Sequence, residues 1–208
     1  MVAGRFIVIE GLDGSGISTQ TRRLASALDA RNEPYYCTRE PSDGPIGSQI
    51  RLALTGRVAF APETLALLFA ADRLDHVQHA IKPRLEAGVH VLCERHVLSS
   101  LAYQGSELAD VEWVATINRP ATRAIAPDLT LFLDVPPEVS LQRIDAGRHT
   151  RELFEHEAGL ERTRQAFGRA IDRVRSAGGR VDILDAARAI GDVADDILTR
   201  VLEIIGRD

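Results

Sequence analysis

Short runs of unbroken apolar residues alternate along this chain with longer stretches of helical period. Phe6-Ile7-Val8-Ile9 is the first such run. With no polar residue in alternation, it predicts a strand buried on both faces. A glycine-rich turn, Gly11 to Gly16, follows. Over residues 18–31, Leu24, Ala25 and Leu28 recur at helical spacing, with Gln20, Arg22 and Arg23 left for the wet face. Residues 35–38 predict a second strand. Pro62 suits the first turn of a helix, read as continuous over residues 63–86, and Gly88 stops it. Residues 89–93, 129–133 and 180–184 predict three more strands. Helices are predicted from Pro137 to about Arg143, over 160–177 and over 190–205. The polar stretch 148–157 lacks a clean period and predicts a mobile loop or short helix.

Strands alternating with helices at this spacing imply a three-layer α/β fold, a parallel five-stranded sheet with helices on both faces. Ligands in such folds sit at the carboxyl ends of the strands. The 208 residues fit one domain.

Composition narrows the function classes. A net charge of −5 argues against a non-specific nucleic-acid binder. No apolar run has the length of a membrane span, and the segment MVAGRFIVIEG has no secretory pattern. Two cysteines, Cys37 and Cys93, cannot form a disulfide framework, which points to a reducing cytoplasm. Lys82 is the only lysine among 25 basic residues.

The segment FIVIEGLDGSGISTQ is close to the phosphate-loop pattern G-x-x-x-x-G-K-[ST]. Gly11 and Gly16 hold the glycine positions and Ser18 the hydroxyl position, but Ile17 stands where the pattern has lysine. Glycines let successive backbone N–H groups curl around a phosphate, and the following helix N-terminus adds a favourable dipole. A hydroxyl at Ser18 suits Mg²⁺. Ile17 brings neither a charge nor a side-chain donor.

Four segments in order resemble the thymidylate kinases: FIVIEGLDGSG, TREPSDGPIGSQIR (residues 38–51), LLFAADRLDHV (67–77) and ERHVLSSLAYQG (94–105). The resemblance spans essentially the whole chain. It implies the nucleoside monophosphate kinase variant of the phosphate-loop fold, and transfer of a phosphoryl group from ATP to dTMP with Mg²⁺. It also implies a homodimer and a mobile lid at about residues 144–157. The loop residues Gly11, Leu12, Asp13, Gly14, Ser15, Gly16, Ile17, Ser18 and Thr19, with Arg143, are the expected ATP site. Arg39 and Arg95 match residues that grip the acceptor phosphate. Guanidinium forks suit that task better than lysine. Phe69 matches a residue that stacks on thymine and Arg73 one that hydrogen-bonds it. They are four residues apart and share one helical face. Tyr103 matches a ring that crowds a ribose 2′-hydroxyl, Ser100 and Gln104 flank it, and Asp13 matches a carboxylate near the acceptor. Ser18 and Glu94 are the expected metal ligands.

The chain departs from the family's pattern at Ile17, at Glu94, where the pattern has aspartate, and at Leu153, where the lid usually has arginine. Arg143, Arg148 and Arg151 stand nearby. A positive lid fits phosphoryl transfer, which spreads negative charge over the moving group. Two alternatives stand beside ATP-dependent dTMP phosphorylation. One is a kinase for another deoxypyrimidine monophosphate. The other is a nucleotide-binding homologue that has lost turnover through Ile17.

Overall fold

A computed structural model of the chain describes residues 4–147 and 157–206. In chain order the elements are β1 (Phe6–Gly11), α1 (Ile17–Asp29), β2 (Tyr35–Arg39), α2 (Pro45–Leu54) and α3 (Pro62–His76). After a π-helical turn, Val77–Ile81, come α4 (Lys82–Glu86), β3 (His90–Glu94), α5 (Val97–Glu107) and α6 (Val111–Ala124). The chain continues with β4 (Leu129–Asp134), α7 (Pro137–Gly147), α8 (Glu157–Ser176), β5 (Val181–Asp185) and α9 (Ile190–Ile205).

The five strands form one parallel sheet in the order β2-β3-β1-β4-β5. The unbroken apolar run of β1 explains its central place. Ile7 and Ile9 point to one face, against Leu24 and Leu28 of α1 and Val193 and Ile197 of α9. Phe6 and Val8 point to the other, against Val77, Ile81 and Leu85. Each of these side chains contributes roughly 1.5–3 kcal/mol by leaving water. On that second face Phe132 of β4 packs with Leu98 and Leu101 of α5 and Phe167 of α8. Ile9 sits in register with Glu94 on one side and Leu131 on the other, and Arg39 with Glu94. The carboxyl ends of β1, β2 and β3 therefore reach one edge together.

The expected strands and their order along the chain are present. The helix expected over 63–86 is interrupted. Pro83 has no N–H for the carbonyl four residues earlier and its ring crowds that carbonyl, so the ladder widens into the π turn before α4 resumes. Three helices, α2, α5 and α6, were not assigned from periodicity. In α5 the buried set includes Ser100, Tyr103 and Gln104 beside Leu98, Leu101 and Ala102, which blurs the apolar stripe. In α6 a proline, Pro120, lies inside the helix, and Asp110 caps its start by accepting the Trp113 N–H at 2.9 Å. Among the described residues no helix is long and apolar enough to cross a membrane.

Candidate active site

At the carboxyl edge of the sheet lies a cleft of about 690 Å³. One end is the loop between β1 and α1. Gly16 precedes α1 with φ of 99°, which only glycine adopts without strain. Gly14 lies so close to α7 that a Cβ would fall 2.5 Å from the Ser140 carbonyl oxygen. The N–H groups of the first turn of α1 have no acceptor within the helix, and residues 12–20 line the cleft. Ser18 Oγ donates to Glu94 Oε2 at 2.6 Å, joining the start of α1 to the end of β3.

Ile17 contrasts with its neighbours. Its side chain is 8% exposed and belongs to the apolar cluster containing Leu24, Leu133 and Val193. It supplies packing and a backbone amide. Lys82, the only lysine, pairs with Glu86 on α4 at 3.9 Å and does not line the cleft.

The middle of the cleft is built around Arg95. Its backbone takes φ of 67°, and its N–H donates to the Ile9 carbonyl at 2.9 Å. Glu10, fully buried at the end of an apolar strand, clamps the residues that follow. It accepts the His96 N–H at 2.7 Å and the Ser99 hydroxyl at 2.6 Å. Burial pushes the Glu10 carboxyl up, against the opposing pull of Ser99 and Arg95. The Arg95 guanidinium donates to the Gly11 carbonyl at 3.0 Å, to Ser99 Oγ at 3.1 Å and to Asp13. Tyr103 donates its hydroxyl to the other Asp13 oxygen at 3.1 Å, and its ring centroid lies 5.6 Å from the Arg95 guanidinium carbon. Burial works against the charge on Arg95, yet Asp13 beside it raises its pKa overall. Burial and Asp13 both raise that of Tyr103.

The far end holds Arg73, 1% exposed. Its Nε donates to Glu40 Oε2 at 2.7 Å, Nη1 to Ser100 Oγ at 3.0 Å and to Asn118 Oδ1, and Nη2 to the His96 carbonyl at 3.0 Å. Burial alone would push the Glu40 carboxyl up, but Arg73, with His96 and His76, brings it down to about 2. Phe69, half-buried one turn earlier on α3, lines the cleft with Ser100, Tyr103 and Gln104 of α5.

Two arginines flank the opening. Arg39 is exposed and pairs with Asp43 at 3.0 Å. Arg51 donates to the Pro41 carbonyl at 3.2 Å and to Ser48 Oγ at 3.0 Å. Arg143, grouped from the sequence with the lid arginines, is held on α7. It donates to the carbonyls of Ser15 at 3.4 Å and Ala186 at 3.0 Å. Arg148 and Arg151, and most of the expected lid, lie outside the described residues.

Comparison with known proteins identifies the family. The sequence profile of the thymidylate kinases matches residues 9–197. The chain is 41% identical to the thymidylate kinase of Symbiobacterium thermophilum, over 97% of this chain and 94% of that one. It is 42% identical to a probable thymidylate kinase of Pyrobaculum calidifontis, with 93% of each chain covered. It is 40% identical to the thymidylate kinase of Thermomicrobium roseum, over 97% and 96%. The chain belongs to the thymidylate kinase family.

In this thymidylate kinase family member, several cleft residues were not singled out from the sequence. Glu10 had a signal, a carboxylate inside an apolar run, which in a buried strand demands partners. Glu40, Arg51 and Arg188 also line the cleft; the first two lie in the segment TREPSDGPIGSQIR, which assigned them no role, and Arg188 had no signal beyond its residue type. Their partners come from segments distant in sequence or from carbonyls that only the folded loops expose.

Proposed function

We propose that this chain transfers the terminal phosphoryl group of ATP to dTMP, giving dTDP and ADP, a step toward dTTP. The observation that carries the reading is one continuous cleft. It joins the phosphate loop at one end to the Asp13–Arg95–Tyr103 group in the middle and the Phe69–Arg73 pair at the other. That order suits a triphosphate, an acceptor phosphate with its sugar, and a base.

Phosphoryl transfer asks little covalent chemistry of a protein, and positioning with charge neutralisation dominates. Residues 11–19 and Arg143 hold ATP in this reading. Arg39 and Arg95 orient the acceptor phosphate, whose oxygen is already a nucleophile. Asp13 and Tyr103 bound the sugar. Phe69 stacks on the base, Arg73 donates to it, and Ser100 and Gln104 complete the wall. Ser18 Oγ and Glu94 Oε2 offer a hydroxyl and a carboxylate side by side, a donor set that fits a small hard cation. These two residues hold Mg²⁺ in this reading, and the ion when bound neutralises phosphate charge. Arg148 and Arg151, on a lid over about residues 144–157 of a single domain, supply positive charge that Ile17 does not. The protein works as a homodimer in the cytoplasm, a compartment that suits its free thiols at Cys37 and Cys93.

A second reading draws on one observation, the burial of Ile17 among apolar side chains. A loop without a cation at that position suits a protein that binds the nucleotides without turning them over. An assay of ADP release, with ATP and dTMP supplied to the parent protein, separates the two. Turnover dependent on dTMP supports the kinase. Calorimetric dTMP binding without ADP release supports the second reading. Faster turnover with another deoxypyrimidine monophosphate would overturn dTMP as the substrate.

A further inference from the structure

The guanidinium of Arg73 carries five N–H bonds. Four are engaged within the protein, by Glu40, Ser100, Asn118 and the His96 carbonyl. Those acceptors come from four segments: the loop after β2, α5, α6 and the loop after β3. Three of these acceptors are themselves held. Asn118 donates its amide to the Val114 carbonyl at 2.8 Å, which turns Oδ1 toward Arg73. Glu10 holds the His96 N–H, fixing the peptide whose neighbouring carbonyl receives Nη2. Glu40 keeps Oε2 on Arg73, while Oε1 faces His76 Nδ1 at 3.3 Å and His96 Nε2 at 3.7 Å. His76 in turn meets Thr38 Oγ1 at 2.7 Å. Arg73, its four acceptors and His76 are buried, so the guanidinium cannot swing to a new partner without leaving charge or polar atoms unpaired.

We propose that Glu40 and Asn118 are specificity-determining positioning residues. Both act through Arg73, with the Glu40 carboxylate taken up by Arg73 and His76 and the Asn118 amide by Arg73 and Val114. They fix Arg73 so that its one remaining N–H, on Nη2, meets a carbonyl oxygen on the base and rejects an amine there. The inference rests on the reading of Arg73 as the base-binding donor. A fixed cation with no lone pair accepts a 4-oxo pyrimidine. Against a 4-amino pyrimidine it sets donor against donor, and a site built around one hydrogen bond rejects the mismatched base strongly. If the guanidinium is loosened, the mismatch can be relieved by rotation, and discrimination at position 4 falls, while the ring's 5-substituent, which Arg73 does not read, is judged as before.

The experiment measures equilibrium binding of dTMP, dUMP and dCMP by calorimetry to the parent, Glu40→Gln, Asn118→Ala and Arg73→Gln. Binding needs no turnover, so the result stands under either reading of Ile17. Affinity ratios are insensitive to the fraction of protein that is folded. The expectation for Glu40→Gln and Asn118→Ala is weaker dTMP binding and a dTMP-to-dCMP preference reduced by about tenfold or more, with the dTMP-to-dUMP preference unchanged. A merely structural role leaves both preferences as they are. Should Glu40→Gln fail to fold, Asn118→Ala decides, because it removes one neutral acceptor and leaves the ion pair intact. If Arg73→Gln keeps the parental dTMP-to-dCMP preference, the assignment of Arg73 to the base is wrong. If Arg73→Gln loses that preference while the folded positioning variants retain it, Arg73 reads the base but the positioning proposal is overturned.

Discussion

Ser18 Oγ and Glu94 Oε2 stand 2.6 Å apart, although 76 residues separate them in the chain. The contact joins the phosphate loop to the strand end that carries Arg95, so the expected metal ligands and the expected acceptor-binding arginine share one support. Ser18→Ala removes one oxygen ligand and should lower kcat by about a hundredfold at low Mg²⁺, with partial recovery as Mg²⁺ is raised. A titration of initial rate against Mg²⁺ tests this. An unchanged curve would remove Ser18 from the metal site.

Arg95→Ala should abolish useful turnover. The variant loses the guanidinium and leaves Asp13 without its cationic partner. Losing a charge-assisted contact of this kind costs roughly 2–5 kcal/mol, which appears in kcat/KM for dTMP. Near-parental kcat/KM would exclude Arg95 from the acceptor site.

Tyr103→Phe separates ring from hydroxyl. The ring packs edge-on against Phe167 at 5.7 Å, a contact that phenylalanine preserves. Loss of the bond to Asp13 should cost about 0.5–1.5 kcal/mol of stability. Preference for deoxyribose should survive, because the crowding is steric. Comparison of kcat/KM for dTMP and its ribose analogue checks this, and free acceptance of the ribonucleotide would show that the hydroxyl does the selecting.

Ile17→Lys puts an ammonium at a position whose present side chain fills an apolar cluster. Thermal unfolding should show destabilisation of about 1–3 kcal/mol. If neighbouring arginines already supply the missing charge, kcat should change little or fall. A parent without turnover, restored about a thousandfold by this substitution, would instead identify a disabled kinase that still binds nucleotide; that factor corresponds to about 4 kcal/mol.

Acid should destabilise the protein in two stages. Burial brings His96 down from 6.5 to about 4, with Glu40 opposing and Arg73 and His76 reinforcing the shift. Its folded value lies below its unfolded one, so the unfolded chain takes up the proton first. The associated stability is complete above pH 6.5 and is lost as pH falls toward about 4. Glu40, held at about 2 by Arg73, follows between pH 4.5 and 2. His96→Phe removes the first stage, and its ring suits the edge-on contact with Phe6. Denaturant midpoints at pH 7 and pH 5 should differ less in the variant than in the parent. An equal difference would place the proton uptake elsewhere.

The sequence by itself determined the strands, the glycine loop and the candidate site types. Each of these is local: an unbroken apolar run such as Phe6–Ile9 must be covered on both faces, and a Gly-rich turn before a helix presents amides whatever lies around it. Phe69 and Arg73 were legible as a pair because four residues bring side chains to one helical face. Tertiary structure alone decided what those residues touch. Ile17 is a missing cation in the sequence, and only the meeting of α1 with α9 makes it part of the core. Arg73 is one charge among several on its helix in the sequence, and only the convergence of four separate segments turns it into a fixed, nearly saturated donor. Glu10 ends an apolar run, which says only that it needs partners, and Glu40 is an acidic residue in a polar segment; the sequence names the partners of neither. Their partners lie 33 to 89 residues away, and burial makes those partners obligatory, because an unpaired carboxylate in the core costs more free energy than any local preference supplies.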